Sequence, residues 1–356
     1  MHSSGSAAPR AGLGLGVVFP VRKDEITQAP TSRQRFLDAA FRKTCYTFAW
    51  LTVGLVAFIV VRILIAAVPA MHSLGIGFLT GRVWDANAGN YGILAEIWGT
   101  LYTSILALII GSVFGVAAAI FLSEGFLSSA VFGLLRQMGL HLNPIGKSLP
   151  DQVERLLKEL IELLAAIPSV VYGLWGIFVV IPIIRPYCDW LHSKLGWMPF
   201  FSTDLSGPGV LPAVLVLSIM ILPTITAISR DALVAVPPKL RMAAYGLGAT
   251  RWESIFAVIL PTASRGIFGG IVLAFGRALG ETMALAMLVG NSNQIKLSLF
   301  SPANTLAALL ANNFPEASPK EVGILMYAAL VLLAITLAVN IVGAVILQRA
   351  SLLHAE

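Results

Sequence analysis

Six long apolar runs constrain this chain more than any other feature of its sequence. Each is long enough to cross a hydrocarbon core of about 30 Å as a helix. They cover Thr47–Val68, Thr100–Leu122, Leu163–Ile184, Val210–Ile228, Gly266–Val289 and Gly323–Leu347. Composition agrees, since 57% of the residues are hydrophobic and only 12% are charged, against roughly 45–50% and about 25% in a soluble domain. The runs are continuous rather than alternating, so a β-barrel is excluded. The sequence predicts an all-α membrane protein whose spans we number 1 to 6.

The positions of Lys and Arg predict the orientation of these spans. Basic residues concentrate in the N-terminal arm, in the loops after spans 2 and 4 and in the tail, while the alternate loops hold few. By the positive-inside rule both termini are cytoplasmic, which gives an arm over 1–45 and a multi-pass domain of six spans over 46–350. The net charge of +6 therefore reflects the orientation of the spans and does not indicate nucleic-acid binding. Cys45 and Cys188 fall on opposite sides of the membrane and are expected to be inert thiols.

Catalytic and metal chemistry find no support in the sequence. The five histidines are scattered over loops and termini, with no spacing typical of a metal site. Residues 141–148 read H-L-N-P-I-G-K-S and end like a phosphate-binding P-loop, but His141 replaces the first glycine and Pro144 lies inside the motif. We therefore expect a chain that is not an enzyme and that binds no nucleotide, metal or other cofactor itself.

The loop over 236–261 has a pattern of its own. Two prolines suit a helix start, and Gly246 and Gly248 interrupt the helix before an apolar stripe resumes. This predicts two short helices joined by a glycine elbow, flanked by the basic residues Lys239, Arg241 and Arg251 and projecting into the cytoplasm. The alternative is an amphipathic hairpin that lies on anionic lipid.

Span 5 carries two charged residues, Arg277 and Glu281. A central charge costs about 2.5–3.5 kcal/mol on insertion scales, so the pair must face protein or water. As i and i+4 residues of one helix they lie on one face. One interpretation is an internal ion pair that holds neighbouring helices in register. The other is a guanidinium presented to a passing oxyanion, which it suits because its fork donates two parallel hydrogen bonds.

Prolines and short helices complete the pattern. Span 3 contains two prolines and two glycines and span 4 contains two prolines, which indicates either close bundle packing or a pathway through spans 3–5 that opens and closes. An amphipathic helix is predicted over Asp151–Glu162, leading into span 3. A short helix is predicted over Pro302–Asn312, with Ser301 as its N-cap.

The loop A-A-Y-G-L-G-A-T-R-W-E-S-I-F-A-V-I-L-P resembles the EAA loop of bacterial ABC importer permeases. In that family the loop forms coupling helices that enter a groove on the ATP-hydrolysing subunit. The motif's glutamate is replaced by Met242 here. Within a coupling loop over 230–264, the resemblance assigns ATPase contact to Arg241, Met242, Ala243, Ala244, Gly248, Ala249, Leu260 and Pro261.

Three further stretches, 99–108, 162–176 and 276–291, resemble the phosphate-specific permeases of that family. Of the two related permeases in such transporters, E-T-M-A followed by Gly290 and Asn291 is more similar to the PstC type than to the PstA type. The resemblance implies a type I core of six helices paired with a PstA-type permease, an ATPase dimer inside and a periplasmic phosphate-binding protein outside. It also implies that Arg277 and Glu281 matter for phosphate movement.

Together these observations predict a permease subunit of an ATP-driven phosphate importer in a bacterial inner membrane. An importer of another oxyanion, such as sulfate or molybdate, stays open because every tetrahedral oxyanion accepts the same guanidinium fork. A passive channel would need no coupling loop. A structural role would leave Arg277 as a packing ion pair.

Overall fold

The computed structural model describes residues 31–86, 88–126 and 149–352. The chain divides into two compact units, residues 1–59 and 60–356. The described part of the first unit is the beginning of a long helix whose large apolar side chains are exposed. The P-loop-like run at 141–148 lies outside the described residues.

Helices dominate the described chain. The membrane-sized ones are α1 (Ser32–Leu74), α3 (Leu94–Ser123), α5 with α6 (Ser169–Leu195), α7 (Val210–Val234), α9 with α10 (Arg251–Leu279) and α13 (Pro319–Leu352). Within the composite ones, α5 is Ser169–Trp175, α6 is Ile181–Leu195, α9 is Arg251–Ser254 and α10 is Leu260–Leu279. The shorter helices are α2 (Gly77–Thr80), α4 (Leu149–Ala166), α8 (Pro238–Gly246), α11 (Met283–Leu288) and α12 (Leu306–Asn313). The described residues thus contain six helices long and apolar enough to cross a membrane, as predicted.

The core of the second unit forms around α7. Gly111 and Gly115 of α3 lie directly against it, because an added β-carbon would come within 2.9 Å of Ile221 Cδ1 or 2.8 Å of Ile225 Cγ2. Thr226 Oγ1 donates to the Gly115 carbonyl oxygen at 3.2 Å. Small residues that let two backbones approach are what membrane helices use to associate, so α3 and α7 form one tightly packed pair.

The predicted start of span 3 is wrong. The amphipathic helix α4 ends at Ala166, and the span begins only at Ser169 and continues to Leu195. Pro168 causes the break, since it lacks an N–H and disfavours helical geometry at the residue before it. Its own backbone is extended, with φ −60° and ψ 140°.

The predicted bounds of span 5 are wrong at both ends. A capping box begins the helix at Arg251, where Thr250 Oγ1 accepts from the Glu253 N–H and Glu253 Oε2 accepts from the Thr250 N–H. The continuous helix predicted over 266–289 stops at Leu279, and α11 begins afresh at Met283. The coupling loop is therefore shorter than 230–264, because helices occupy both of its ends.

A wide π-helical turn precedes a proline in both composite helices. The turns cover Gly176–Val180 and Ile255–Ile259, and each ends two residues before a proline, Pro182 or Pro261. Proline cannot donate to the carbonyl four residues back, and its ring collides with that carbonyl. Widening the preceding turn shifts the hydrogen bonds to the fifth residue and lets the helix continue through the proline.

The remaining helices are longer than their apolar runs. Helix α1 begins at Ser32, inside the arm predicted over 1–45, and α3, α7 and α13 extend past the bounds predicted for spans 2, 4 and 6. Apolar length measures what lipid must cover, whereas a helix continues until a cap or proline ends it.

A polar segment with a short hairpin precedes α3 in the chain. Strand β1 (Trp84–Asp85) pairs antiparallel with β2 (Asn90–Tyr91).

The helix predicted over Pro302–Asn312 is instead α12 (Leu306–Asn313). It is capped by Thr305 Oγ1, which accepts from the Ala308 N–H at 3.2 Å. Ser301 is not the cap, because its Oγ donates to the Ser298 carbonyl oxygen at 2.7 Å and the helix begins only at Leu306.

Candidate functional site

The two charged residues of span 5 lie on either side of a break in the helix. Arg277 is in the last turn of α10, Gly280 follows its end, and Glu281 precedes the first turn of α11. Gly280 disfavours a helix interior, and Thr282 occupies the N-cap position of α11. A glycine closing one helix two residues before a threonine that begins the next is a signal that could have revealed the break from the sequence.

The guanidinium of Arg277 is presented on an open surface of the single chain. Its side chain is exposed, and Nη1 donates to Thr224 Oγ1 of α7 at 3.5 Å. Thr224 directly follows Pro223, a proline inside α7. Sequence analysis did not identify Thr224. One side of the guanidinium is thereby oriented from span 4 while its other N–H groups stay available, the geometry needed to receive an anion.

Glu281 does not pair with Arg277. Its Oε1 accepts instead from the Ala284 N–H at 3.4 Å, at the start of α11. The described residues contain no ion pair between the two side chains, so the ion-pair interpretation does not describe this conformation. The i, i+4 relation assumed for it is lost because the helix ends between the two residues.

Helix α11 is held by the glycines of span 3. A β-carbon added at Gly173 would lie 2.7 Å from Met287 Sδ, and one at Gly176 would lie 2.6 Å from Leu288 Cδ1. A larger residue at either position would force the Met287 or Leu288 side chain to shift, so the glycines allow a close approach of the two helices. The glycines of span 3 therefore position the second half of the broken span.

Gly290 and Asn291 turn the chain sharply after α11. Both have positive φ, 98° and 49°, and Asn291 is the one described residue other than glycine with this backbone geometry. Its Nδ2 donates to the Ala286 carbonyl oxygen at 3.2 Å, and its Oδ1 accepts from Asn312 Nδ2 at 2.9 Å. Asparagine and glycine tolerate this conformation best. The pair thus joins the broken span to α12.

The loop over 236–261 forms the two predicted helices. Helix α8 begins at Pro238 and ends at Gly246, and α9 begins at Arg251. Gly248 between them has φ +88°, a left-handed conformation that favours glycine. The first short helix and the glycine elbow are therefore confirmed, whereas the second helix is the beginning of the long helix of span 5.

Apolar side chains cover the outside of this loop. Met242 is 71% exposed and Leu247 is 90% exposed, and Trp252 is also exposed. Of the residues assigned to ATPase contact, Ala243, Gly248 and Pro261 are exposed, whereas Ala244 is buried and Arg241, Ala249 and Leu260 are half-buried. An apolar patch with basic side chains beside it is typical of a protein-binding surface.

No metal centre accompanies these features. The described residues contain no group of three or more His, Cys, Asp or Glu able to hold a metal ion. Both cysteines are free thiols, with Cys45 exposed and Cys188 buried.

Comparison with known proteins gives a consistent family. Residues 145–351 match the family model of the binding-protein-dependent transport system inner membrane component. The chain is 36% identical over 332 residues to the phosphate transport system permease protein PstC of Pasteurella multocida, covering 91% of this chain and 96% of that one. It is 37% identical over 321 residues to PstC of Haemophilus influenzae, covering 89% and 95%.

Among solved structures, the chain aligns with a chain of the inward-facing MetNI methionine ABC transporter at 16% identity and a TM-score of 0.48. The alignment covers 72% of this chain and 95% of that chain. The family model and the PstC relatives, together with six membrane-sized helices, show a multi-pass inner-membrane transport component rather than an enzyme. The chain belongs to the binding-protein-dependent transport system inner membrane components, among the PstC-type permeases.

Proposed function

We propose that this chain carries inorganic phosphate across the inner membrane as one of two permeases in an ATP-driven importer. The observation that carries the proposal is its likeness to PstC proteins along nine tenths of both chains. The second permease is of the PstA type, an ATPase dimer binds the loop over 236–261, and a periplasmic phosphate-binding protein delivers the substrate. ATP is bound by the ATPase and not by this chain.

Arg277 is the anion contact in this proposal. Its exposure on the surface of one chain fits a pathway that a second permease completes, because a charge at membrane depth must face protein or water. Transport needs a weak contact, since an anion held tightly would not leave. We therefore expect the purified subunit alone to show no tight phosphate binding, and micromolar affinity in a calorimetric titration would contradict this weak contact.

The loop over 236–261 couples ATP hydrolysis to the spans. It continues directly into α10 through α9 and the π turn, so a displacement of the loop is transmitted to the helix whose last turn carries Arg277. Alternating access then requires two states that differ in their contacts, rather than a fixed pore.

The test is labelled phosphate uptake into proteoliposomes that hold both permeases, the ATPase and the binding protein. Arg277→Gln removes the charged fork and should reduce ATP-dependent uptake roughly ten- to a hundredfold, the worth of a charge-assisted hydrogen bond. Arg277→Lys keeps the charge but loses the forked guanidinium, so its uptake should lie between that of the wild type and that of Arg277→Gln. Arg62→Gln is the matched control, because Arg62 is an exposed arginine of another membrane helix.

Three results would contradict the proposal. Wild-type uptake without ATP indicates a channel. Uptake that Arg277→Gln leaves equal to the Arg62→Gln control returns Arg277 to a structural role. Uptake of labelled sulfate or molybdate in preference to phosphate, with the cognate binding protein supplied for each, assigns the transporter to another oxyanion.

A further inference from the structure

The end of span 2 turns back onto the loop over 236–261. Helix α3 ends at Ser123, Glu124 follows it, and Gly125 has φ +60°. This left-handed residue reverses the chain, as glycine commonly does just past a helix end. Two side chains on either side of the glycine, Glu124 and Phe126, thereby reach the two short helices of the loop.

Glu124 makes the first of these contacts. Its Oε1 lies 2.7 Å from Arg241 Nη1, and its side chain is only 4% exposed. Arg241 Nη2 also donates to the Leu233 carbonyl oxygen at 2.9 Å, at the end of α7. One guanidinium therefore connects α8, the end of span 4 and the end of span 2. Because the carboxylate is buried, losing its cation would cost far more than losing a surface pair.

Phe126 makes the second contact, with α9. Its ring stacks on Trp252, with centroids 4.9 Å apart and planes 25° apart. The Arg251 guanidinium carbon lies 4.1 Å from the centroid of the same ring, a cation–π distance. Trp252 in turn stacks on Phe256 at 5.9 Å. The two helices on either side of the Gly248 elbow are thus each held by a different residue of one short segment.

Span 2 is itself fixed to span 4. The glycine contacts of Gly111 and Gly115 with Ile221 and Ile225, and the bond from Thr226, leave little freedom between α3 and α7. A force on the loop therefore reaches the core of the bundle through the end of span 2. A second route runs along the chain into α10.

We propose that Glu124 and Phe126, with Arg241, Arg251 and Trp252, form a clasp that makes the coupling loop and span 2 move as one body during transport. Glu124 is a positioning residue, since it acts through Arg241 on the orientation of α8. This inference rests on the proposed function, because it assigns the route by which the loop drives the pathway.

The first test uses the complete complex in proteoliposomes and measures phosphate transported per ATP hydrolysed. Glu124→Gln keeps the shape of the side chain and removes its charge. We expect ATP hydrolysis to persist and transport per ATP to fall roughly fivefold or more, the lower range of measured couplings between sites. Glu162→Gln is the control, since Glu162 pairs with Lys158 at 3.6 Å through exposed side chains.

A cross-link separates positioning from folding. In a background where Cys45 and Cys188 are Ser, Glu124→Cys with Arg241→Cys removes the ion pair but allows a short bifunctional maleimide to rejoin the two sites. A clasp that moves as one body predicts low transport before cross-linking and recovered transport after it. A residue needed only for folding would not be rescued.

The outcomes separate the clasp from the function it serves. A wild-type complex without ATP-dependent phosphate uptake overturns the proposed function. If the wild type transports and Glu124→Gln matches Glu162→Gln in transport per ATP, the clasp alone is overturned. A cross-link that leaves transport low also overturns it, because the two segments would then have to separate during the cycle.

Discussion

Helices α7 and α13 are both long and apolar, yet they have very different surroundings. In the most apolar stretch of α7, 61% of the residues are buried, whereas the corresponding stretch of α13 is 6% buried. Helix α7 contacts α3 and α10, and its buried positions include Ser218, Thr226 and Ser229. Along α13, large aliphatic side chains face outward. Hydropathy shows that a helix lies in the membrane, but small and polar residues indicate which helix has neighbours.

The difference matters for energetics, because lipid chains are as apolar as leucine. Burying an aliphatic side chain inside the bundle gains little hydrophobic transfer relative to lipid, so packing supplies most of the stability. Matched substitutions in α7 and α13 should therefore differ by the packing contribution alone.

The largest difference in the free energy of unfolding is expected when an isoleucine is changed to alanine in each of the two helices. Ile221 of α7 is fully buried, and Ile341 of α13 is 53% exposed. Ile221→Ala leaves a cavity and should lower the free energy of unfolding by about 2–5 kcal/mol. Ile341→Ala removes side-chain atoms that the fold of the single chain does not enclose, and should stay within about 0.5 kcal/mol.

Unfolding of the purified subunit in detergent, followed by tryptophan fluorescence against denaturant, measures both variants. Equal losses would show that α13 is packed as tightly as α7 in solution, and would refute the comparison. A loss for Ile341→Ala only in the assembled transporter would instead show that a partner subunit covers α13.

How much of this architecture is visible in the sequence depends on the range of the interactions. The six spans are predictable because apolar length is a local property. The coupling loop is predictable because proline and glycine mark its helix ends locally. The prediction for span 3 starts too early, because Pro168 breaks the helix inside an apolar pattern that continues past it. The prediction for span 5 starts too late, because the capping box at Thr250 begins the helix before its apolar run.

The site residues divide in the same way. Arg277 stands out as a charge in an apolar run, but Thr224 and Glu124 acquire their importance only from contacts with distant segments. The burial of Glu96 is another property that the local sequence does not reveal. This residue is completely buried in the first turn of α3, and neither carboxyl oxygen has a hydrogen-bond partner among the described residues. Nothing in its local sequence distinguishes it from an exposed helix-start glutamate.

A glycine pair sharpens the contrast between packed and open surfaces. A β-carbon at Gly115 would meet Ile225 Cγ2 at 2.8 Å and Ile225 Cβ at 2.9 Å, and the branched Ile225 cannot easily turn away. Gly115→Ala should therefore cost about 1–3 kcal/mol of unfolding free energy. Gly269→Ala is the control, because its nearest atom would be Leu347 Cδ1 at 4.0 Å. It should be neutral or slightly stabilising, since alanine favours helix.

The same denaturation experiment measures this pair. A Gly115→Ala variant as stable as Gly269→Ala would show that α3 and α7 separate readily, and would also weaken the route from the loop to the core. A smaller loss for Gly115→Ala in an Ile225→Ala background than in the wild-type background would locate the strain at this contact, because alanine lacks the clashing Cγ2.

The smallest effect is expected where α13 begins, at a polar contact with the hairpin. Tyr91 Oη donates to Glu321 Oε1 at 3.5 Å. Burial raises the pKa of Tyr91 above its ordinary value, and the negative charge of Glu321 raises it further. The raised pKa favours the folded state below about pH 10, and this contribution is lost as the pH rises through the pKa of the folded protein.

Glu321→Gln should therefore lower the pKa of Tyr91 without returning it to the ordinary value, because burial is the larger cause. The phenolate absorbance of the wild type minus that of Tyr91→Phe, titrated with and without the glutamine substitution, measures the shift. Stability at neutral pH should change little, as for an exposed contact. Glu316→Gln is the control, because Glu316 is an acidic residue of the turn that precedes α13. It should leave the pKa of Tyr91 unchanged. If it lowers that pKa as much as Glu321→Gln does, the cause is the general acidity of this surface, and α13 is not fastened at its start by a specific contact.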